Sequence, residues 1–182
     1  VAAPDWPCAL SNRGMVLGEL GHHEEAASEF QRALKLEPGN PVFWNNIGNT
    51  YERLERYPEA LAALDATLAI NPEHTLSHYN RGIVLLRMNR TRDGIASLSE
   101  ALARDPAHAD SYYNRGVARL LLGDFGGFSD YEWRLKTDGQ ERYYIDPQGK
   151  PQWTGAESLE GKTILVHAEQ GIGDSIQFLR YL

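Results

Sequence analysis

The chain has 182 residues, 42% of them apolar and 24% charged, the profile of a folded globular protein rather than a disordered one. Its 25 acidic side chains against 18 basic ones give a formal net charge of −7, which disfavours nonspecific nucleic-acid binding because that needs a basic surface to release phosphate counterions. No apolar run approaches the roughly 20 residues that cross a bilayer, residues 1–7 lack the basic-then-apolar order of a secretory signal, and the single cysteine, Cys8, excludes an internal disulfide framework and a cysteine-based zinc site.

In chain order, the first pattern is a pulse. Pro38, Pro72 and Pro106 stand 34 residues apart; so do Gly14, Gly48, Gly82 and Gly116, and so do Asn12, Asn46, Asn80 and Asn114. Counting units from Pro7, Pro41, Thr75 and Ala109 gives repeats 7–40, 41–74, 75–108 and 109–136. Each reads as a helix pair: 7–20 with 23–36, 41–54 with 57–70, 75–88 with 91–104, and 109–122 with 125–136. The first helix has a large residue at its fourth position (Leu10, Trp44, His78, Tyr112) and glycine at its eighth. The second has a small residue where the two helices cross (Ala26, Ala60, Gly94), then a bulky one (Phe30, Leu64, Leu98). Small residues let antiparallel helices approach, and bulky ones fill the flanking gaps. The closing proline stops the second helix, since it has no amide hydrogen and clashes with the preceding turn.

This period and these residues resemble the tetratricopeptide repeat over residues 7–136. The resemblance implies an all-α, right-handed superhelix of four helix-turn-helix repeats, its concave groove lined by the first helices. It also implies a protein-interaction module of the cytoplasm that takes an extended peptide or protein ligand and needs no cofactor.

Within that frame the asparagines are the sharpest regularity. A primary amide offers two donors and an acceptor, so Asn12, Asn46, Asn80 and Asn114 form a ladder able to hydrogen-bond a ligand backbone without reading side chains. The ladder resembles that of the nucleocytoplasmic O-linked N-acetylglucosamine transferases. The alternative is that these amides bond between neighbouring units. Other groove-facing positions are Ser11, Met15, Asn45, Asn49, Arg53, Ile83 and Val117, with Tyr79, Arg87 and Tyr113 as the best side-chain contacts because such residues dominate interface hot spots. Repeats that clamp the C-terminal carboxylate of chaperones use lysine and asparagine where this chain has Ser11 and Met15, which argues against that partner class. His22, His23, His74 and His78 lack acidic or cysteine partners at ligand spacing and read as solvated surface side chains, not metal ligands.

After residue 136 the period is lost. Residues 137–161 are rich in turn formers and read as a linker. Within 162–182, Thr163 to His167 reads as a strand, Gly171 to Asp174 as a turn and Ser175 to Leu182 as a helix, the opening of a Rossmann-like unit. The series Gly123-Asp124-Phe125, Tyr131-Glu132-Trp133-Arg134, Pro151 to Gly155, His167 to Asp174 and Gln177 to Tyr181 resembles bacterial proteins that fuse tetratricopeptide repeats to a GT-B type glycosyltransferase, relatives of the O-linked N-acetylglucosamine transferases and heptosyltransferases. Against that pattern the stretch from Phe125 to Tyr131 is one residue short and Phe128 falls where a small residue belongs, so the last helix is expected to be shifted or irregular.

The resemblance implies that Gly173-Asp174 matches the pair whose aspartate is the proposed general base on the acceptor hydroxyl, with Gly171 and Gly173 allowing a tight turn near phosphate. The alternative for Asp174 is a helix cap, and both roles can coexist. Because the chain opens with Val1 and stops at Leu182 inside an apolar stretch, it reads as a fragment that does not itself transfer sugar, and residues 163–182 are expected to be disordered, packed as an extra helix on the last repeat, or paired with another copy. An independent repeat scaffold with an incidental tail is the competing reading.

Overall fold

The 34-residue pulse becomes four stacked helical hairpins. A computed structural model of the chain describes residues 6–137 together with 158, 160 and 161. The helices are α1 (Pro7–Glu19), α2 (His23–Leu36), α3 (Pro41–Arg53), α4 (Tyr57–Ile70), α5 (Thr75–Arg87), α6 (Thr91–Arg104), α7 (Ala109–Leu121) and a short α8 (Gly127–Tyr131), followed by a 3-10 turn over Glu132–Lys136. Among the described residues there is no strand, and no helix is long and apolar enough to cross a membrane. The chain divides into the units Val1–Arg134 and Leu135–Leu182. In the second, Gly161 takes a φ of 71° and the Glu160 amide donates to Ser158 Oγ at 3.2 Å.

The helix starts follow local chemistry. Pro7 and Pro41 stand in the first turns of α1 and α3, where a missing amide hydrogen leaves no bond unmade. Asn40 Oδ1 accepts from the Val42 amide at 3.0 Å and caps α3. His74 and His108 cap α5 and α7, each Nδ1 accepting from a serine amide at 3.2 Å (Ser77 and Ser111). This corrects the expectation for His74 and His78: His74 is a half-buried cap, and His78 Nε2 bonds the Pro72 carbonyl at 2.8 Å. Trp44 Nε1 makes the same bond to the Pro38 carbonyl at 2.8 Å, so both fourth-position side chains tie a first helix to the turn before it.

Within the hairpins the turn is also periodic. Gly21, Glu55, Asn89 and Gly123 all take positive φ, at 83°, 57°, 58° and 79°. Each puts the next amide into a bond with a carbonyl five residues back, as His22 does with Leu17 and Arg56 with Tyr51, both at 2.9 Å.

The helix crossings explain the glycines. Leu98 sits over Gly82, where an added Cβ would lie 2.7 Å from its Cγ, and Phe30 and Leu64 take the same place over Gly14 and Gly48. Ala26, Ala60 and Gly94 are buried at the crossings. Leu10, Phe30, Ile47, Leu64 and Val84 belong to the core between the layers. Among the described helices, contacts run between chain neighbours and between successive first helices, α1 with α3, α3 with α5 and α5 with α7.

The fourth unit departs from register, and the expected helix over 125–136 is replaced by α8 and the 3-10 turn. Gly127, not Phe128, enters the small-residue slot. A Cβ added at Gly127 would lie 2.7 Å from the Gly116 carbonyl oxygen, and one added at Gly116 would lie 2.9 Å from that of Gly127. Phe128 is instead 57% exposed and stacks on Phe125. The one-residue shortening thus slides α8 back by one position. Asp130, 5% exposed, locks it to α7. It takes Arg115 Nε at 2.8 Å, Arg115 Nη2 at 2.9 Å and Arg119 Nη1 at 3.1 Å. Trp133 stacks on Tyr112 at 4.2 Å.

Candidate functional site

The inner faces of α1, α3 and α5 bound a groove of about 780 Å³. Met15 comes from α1, Asn46, Asn49 and Arg53 from α3, and Tyr79, Asn80, Ile83 and Arg87 from α5, with Glu19 and Glu52 at the helix ends. Residues three and four apart on a helix share a face. That is why positions 46, 49 and 53 of α3 reappear, 34 residues on, as 80, 83 and 87 of α5.

The asparagines divide. Asn46 lines the groove, and its Nδ2 is buried without a hydrogen-bond partner. Asn80 also lines the groove, but its Nδ2 reaches across the unit boundary to Asn45 Oδ1 at 3.2 Å. Asn45 was expected to face the groove; instead it is 7% exposed, and its Oδ1 also accepts from Ser77 Oγ at 2.8 Å. The ladder residue Asn80 thus makes the bond between units that the alternative reading gave, with Asn45 as its acceptor. Ser11, likewise expected to face the groove, is buried. Asn49 is exposed on the groove wall. Asn12 is exposed on α1 outside the lining, and Asn114 spends its Nδ2 on the Asp110 carbonyl at 2.8 Å.

The aromatic candidates differ too. The Tyr79 ring tilts against His108 at 4.9 Å, joining α5 to the cap of α7 while one side lines the groove. Burial pushes its hydroxyl pKa up, and Asp110 and Glu52 push the same way. It is therefore a neutral donor. Tyr113 packs on Tyr131 at 5.7 Å within its own unit and lies outside the groove lining. Arg87 is largely exposed, with Nε 3.9 Å from Glu52 Oε1.

The structure thus gathers Asn46, Asn49, Tyr79, Asn80 and Arg87 in one groove, and places Asn12, Asn45, Tyr113 and Asn114 elsewhere. Sequence reasoning missed Glu52; its signal was its place between a groove asparagine and Arg53 on one helix face. Among the described residues no cluster of three or more His, Cys, Asp or Glu side chains is placed to hold a metal. Asp174, Gly171, Gly173 and the whole expected strand-turn-helix of 162–182 lie outside the described residues.

The tetratricopeptide repeat profile matches residues 12–75 and 79–128. The chain belongs to the tetratricopeptide repeat family. The crystal structure of MamA is 17% identical, covers 79% of this chain and 84% of its own, and superposes with a TM-score of 0.69. The first repeat domain of Spaghetti (RPAP3), solved with the HSP90 peptide SRMEEVD, is 19% identical with a TM-score of 0.63, covering 64% of this chain and 93% of that one. TTC0263 of Thermus thermophilus, a thermophilic repeat protein, is 20% identical with a TM-score of 0.66, covering 73% and 75%. These likenesses show the fold. No curated protein sequence matches the chain.

Proposed function

We propose that the repeat unit binds an extended peptide, or an extended segment of an acceptor protein, along the inner faces of α1, α3 and α5. The observation that carries this is the Asn46 amide: a buried donor with no partner, set in the wall of a groove about 780 Å³ in volume. Such a donor costs about 1–3 kcal/mol when left unmade. A turn of the Asn46 side chain into the groove lets a ligand carbonyl accept from it and recover that cost, and the next carbonyls along an extended chain meet Asn49 and the Tyr79 hydroxyl. Spaghetti, a protein of the same fold, holds a peptide.

The finer reading is that these repeats recognise the acceptor for a glycosyltransferase. Its support is the ordered series of residues from Gly123 to Tyr181 described above. In that reading Asp174 is the base on the acceptor hydroxyl, Gly171 and Gly173 shape the turn before it, and residues 163–182 offer a surface for self-association. The chain itself transfers no sugar, so purified protein incubated with radiolabelled nucleotide sugars yields no labelled product.

The groove is tested by panning a random decapeptide display library on the chain and measuring the selected peptides by fluorescence anisotropy. Asn46→Ala is expected to weaken binding about five- to tenfold, the loss of about one hydrogen bond. The free variant keeps its helicity and melts no lower than the parent, because the orphaned donor is gone. Selected peptides that bind Asn46→Ala as tightly as the parent refute the groove.

A further inference from the structure

Arg53 and Arg87 hold the same position in successive units, in the last turns of α3 and α5. Both are mostly exposed, 73% and 63% by side chain, and both stand at the edge of ion-pair range of one carboxylate. Arg53 Nε is 4.0 Å from Glu52 Oε2, and Arg87 Nε is 3.9 Å from Oε1. A charge-assisted N–H···O bond runs about 2.7–2.9 Å, so Glu52 hydrogen-bonds neither. Several other guanidinium groups are closely engaged, Arg81 with Asp65 at 2.6 Å, Arg104 with Glu100 at 2.7 Å and Arg115 with Asp130 at 2.8 Å, whereas Arg13 stands 3.6 Å from Glu29 outside the groove lining. Around Glu52 the two arginines leave one positive charge in excess, while Glu19 at the α1 end brings the groove lining as a whole to balance.

The same rim position is Glu19 in the first unit and Leu121, 78% exposed, in the fourth. The rim therefore runs acidic, basic, basic, apolar. Glu19 opposes a second acid at the first unit, so the rim favours a single acidic residue over an acidic run.

We infer that the groove selects a peptide carrying one internal acidic side chain, seated between Arg53 and Arg87. This rests on the peptide-binding reading of the same groove. The lining extends from the arginines to Met15 and Glu19 of α1 and back along α5 to Tyr79, about two helical turns before Arg87, so an internal seat keeps this wall covered. A ligand terminus there would leave half of that wall empty.

The test uses fluorescein-labelled decapeptide pools, acetylated and amidated, random except for a central Glu, Gln or Lys, with anisotropy read on the full chain. The Glu pool is expected to bind about three- to tenfold tighter than the Gln pool, the range for two exposed ion pairs, and the Lys pool weakest. Arg53→Gln with Arg87→Gln brings the Glu and Gln pools to equal affinity. Glu52→Gln, which releases both guanidinium groups, tightens the Glu pool about two- to threefold and serves as the arm that does not depend on the double variant folding. Equal Glu and Gln binding by the parent chain overturns acidic selection and leaves peptide binding standing. Absence of binding by every pool overturns both. A Glu preference that survives the double substitution overturns the seat, as does a preference that appears only when pools carry a free C-terminus.

Discussion

Two helix glycines should answer the same substitution with opposite signs. Gly18 lies in the last turn of α1, and a Cβ there meets nothing within 4 Å. Gly18→Ala therefore gains only helix propensity, about 0.5–1 kcal/mol. At Gly116 an added Cβ would lie 2.5 Å from Tyr131 N, 2.9 Å from Gly127 O and 3.0 Å from Asp130 C. These are backbone atoms and cannot rotate aside, so α8 must retreat by about 1 Å to restore van der Waals contact. Overpacking of this kind costs about 1–3 kcal/mol. The retreat also stretches the Arg115–Asp130 pair, a charged bond worth about 1.5–3 kcal/mol. After subtracting the propensity gain, Gly116→Ala should lose about 2–3 kcal/mol. The two variants then differ by about 3 kcal/mol, or roughly 1.5 M in urea midpoint at a slope near 2 kcal/mol per M. Urea unfolding followed by far-ultraviolet circular dichroism reads the midpoints, and amide exchange in α7 should show the Gly116→Ala loss concentrated there. Shifts of the same sign in both variants, or Gly116→Ala within about 0.5 kcal/mol of the parent, would refute the packing argument.

Three further outcomes are expected. Glu55→Gly should raise the melting temperature by a few degrees, gaining about 0.5 kcal/mol: it relieves a left-handed residue at φ 57°, and the larger unfolded-state entropy of glycine offsets part of the relief. Burial holds the His74 pKa below its ordinary 6.5, and the charge on His78 acts in the same direction. Because the neutral ring is the cap acceptor, its stabilisation is present above pH 6.5 and is lost as the pH falls through the lower folded value; thermal melts between about pH 7.5 and 5 should show this, and His74→Asn should flatten the slope. Burial raises the Asp130 carboxyl, but hydrogen bonds from Arg115 and Arg119 outweigh it and leave the pKa below 3.8, so this contribution persists above that value and vanishes only in stronger acid. Asp130→Asn should cost about 2–3 kcal/mol at neutral pH in urea titration, since it leaves Arg115 without its anion, while Arg119 keeps Asp124 at 2.8 Å.

The hairpins were legible because each pulsing residue has a mechanical job: proline stops a helix, glycine receives a bulky side chain, alanine marks a crossing. The slip at Phe128 was visible as a misplaced large residue, although its resolution by Gly127 needed coordinates. Asn45 was misjudged because facing on a curved stack depends on how far each unit rotates, and its partner Ser77 lies a unit away. The caps at His74 and His108 are written as histidine three residues before serine, twice at the same interval, but histidine is an uncommon cap: His74 reads as surface and His108 carries no signal of its own. The left-handed row was half hidden: Gly21, Asn89 and Gly123 advertise it, and Glu55 does not.

Because no described helix touches another described helix past the next but one, a push at one end of the stack passes from interface to interface in turn. The stack is elastic in the manner of a coil spring. Small rotations at each joint add up to a change of pitch, so the hollow can tighten on a thin occupant or slacken under load without breaking a single hairpin.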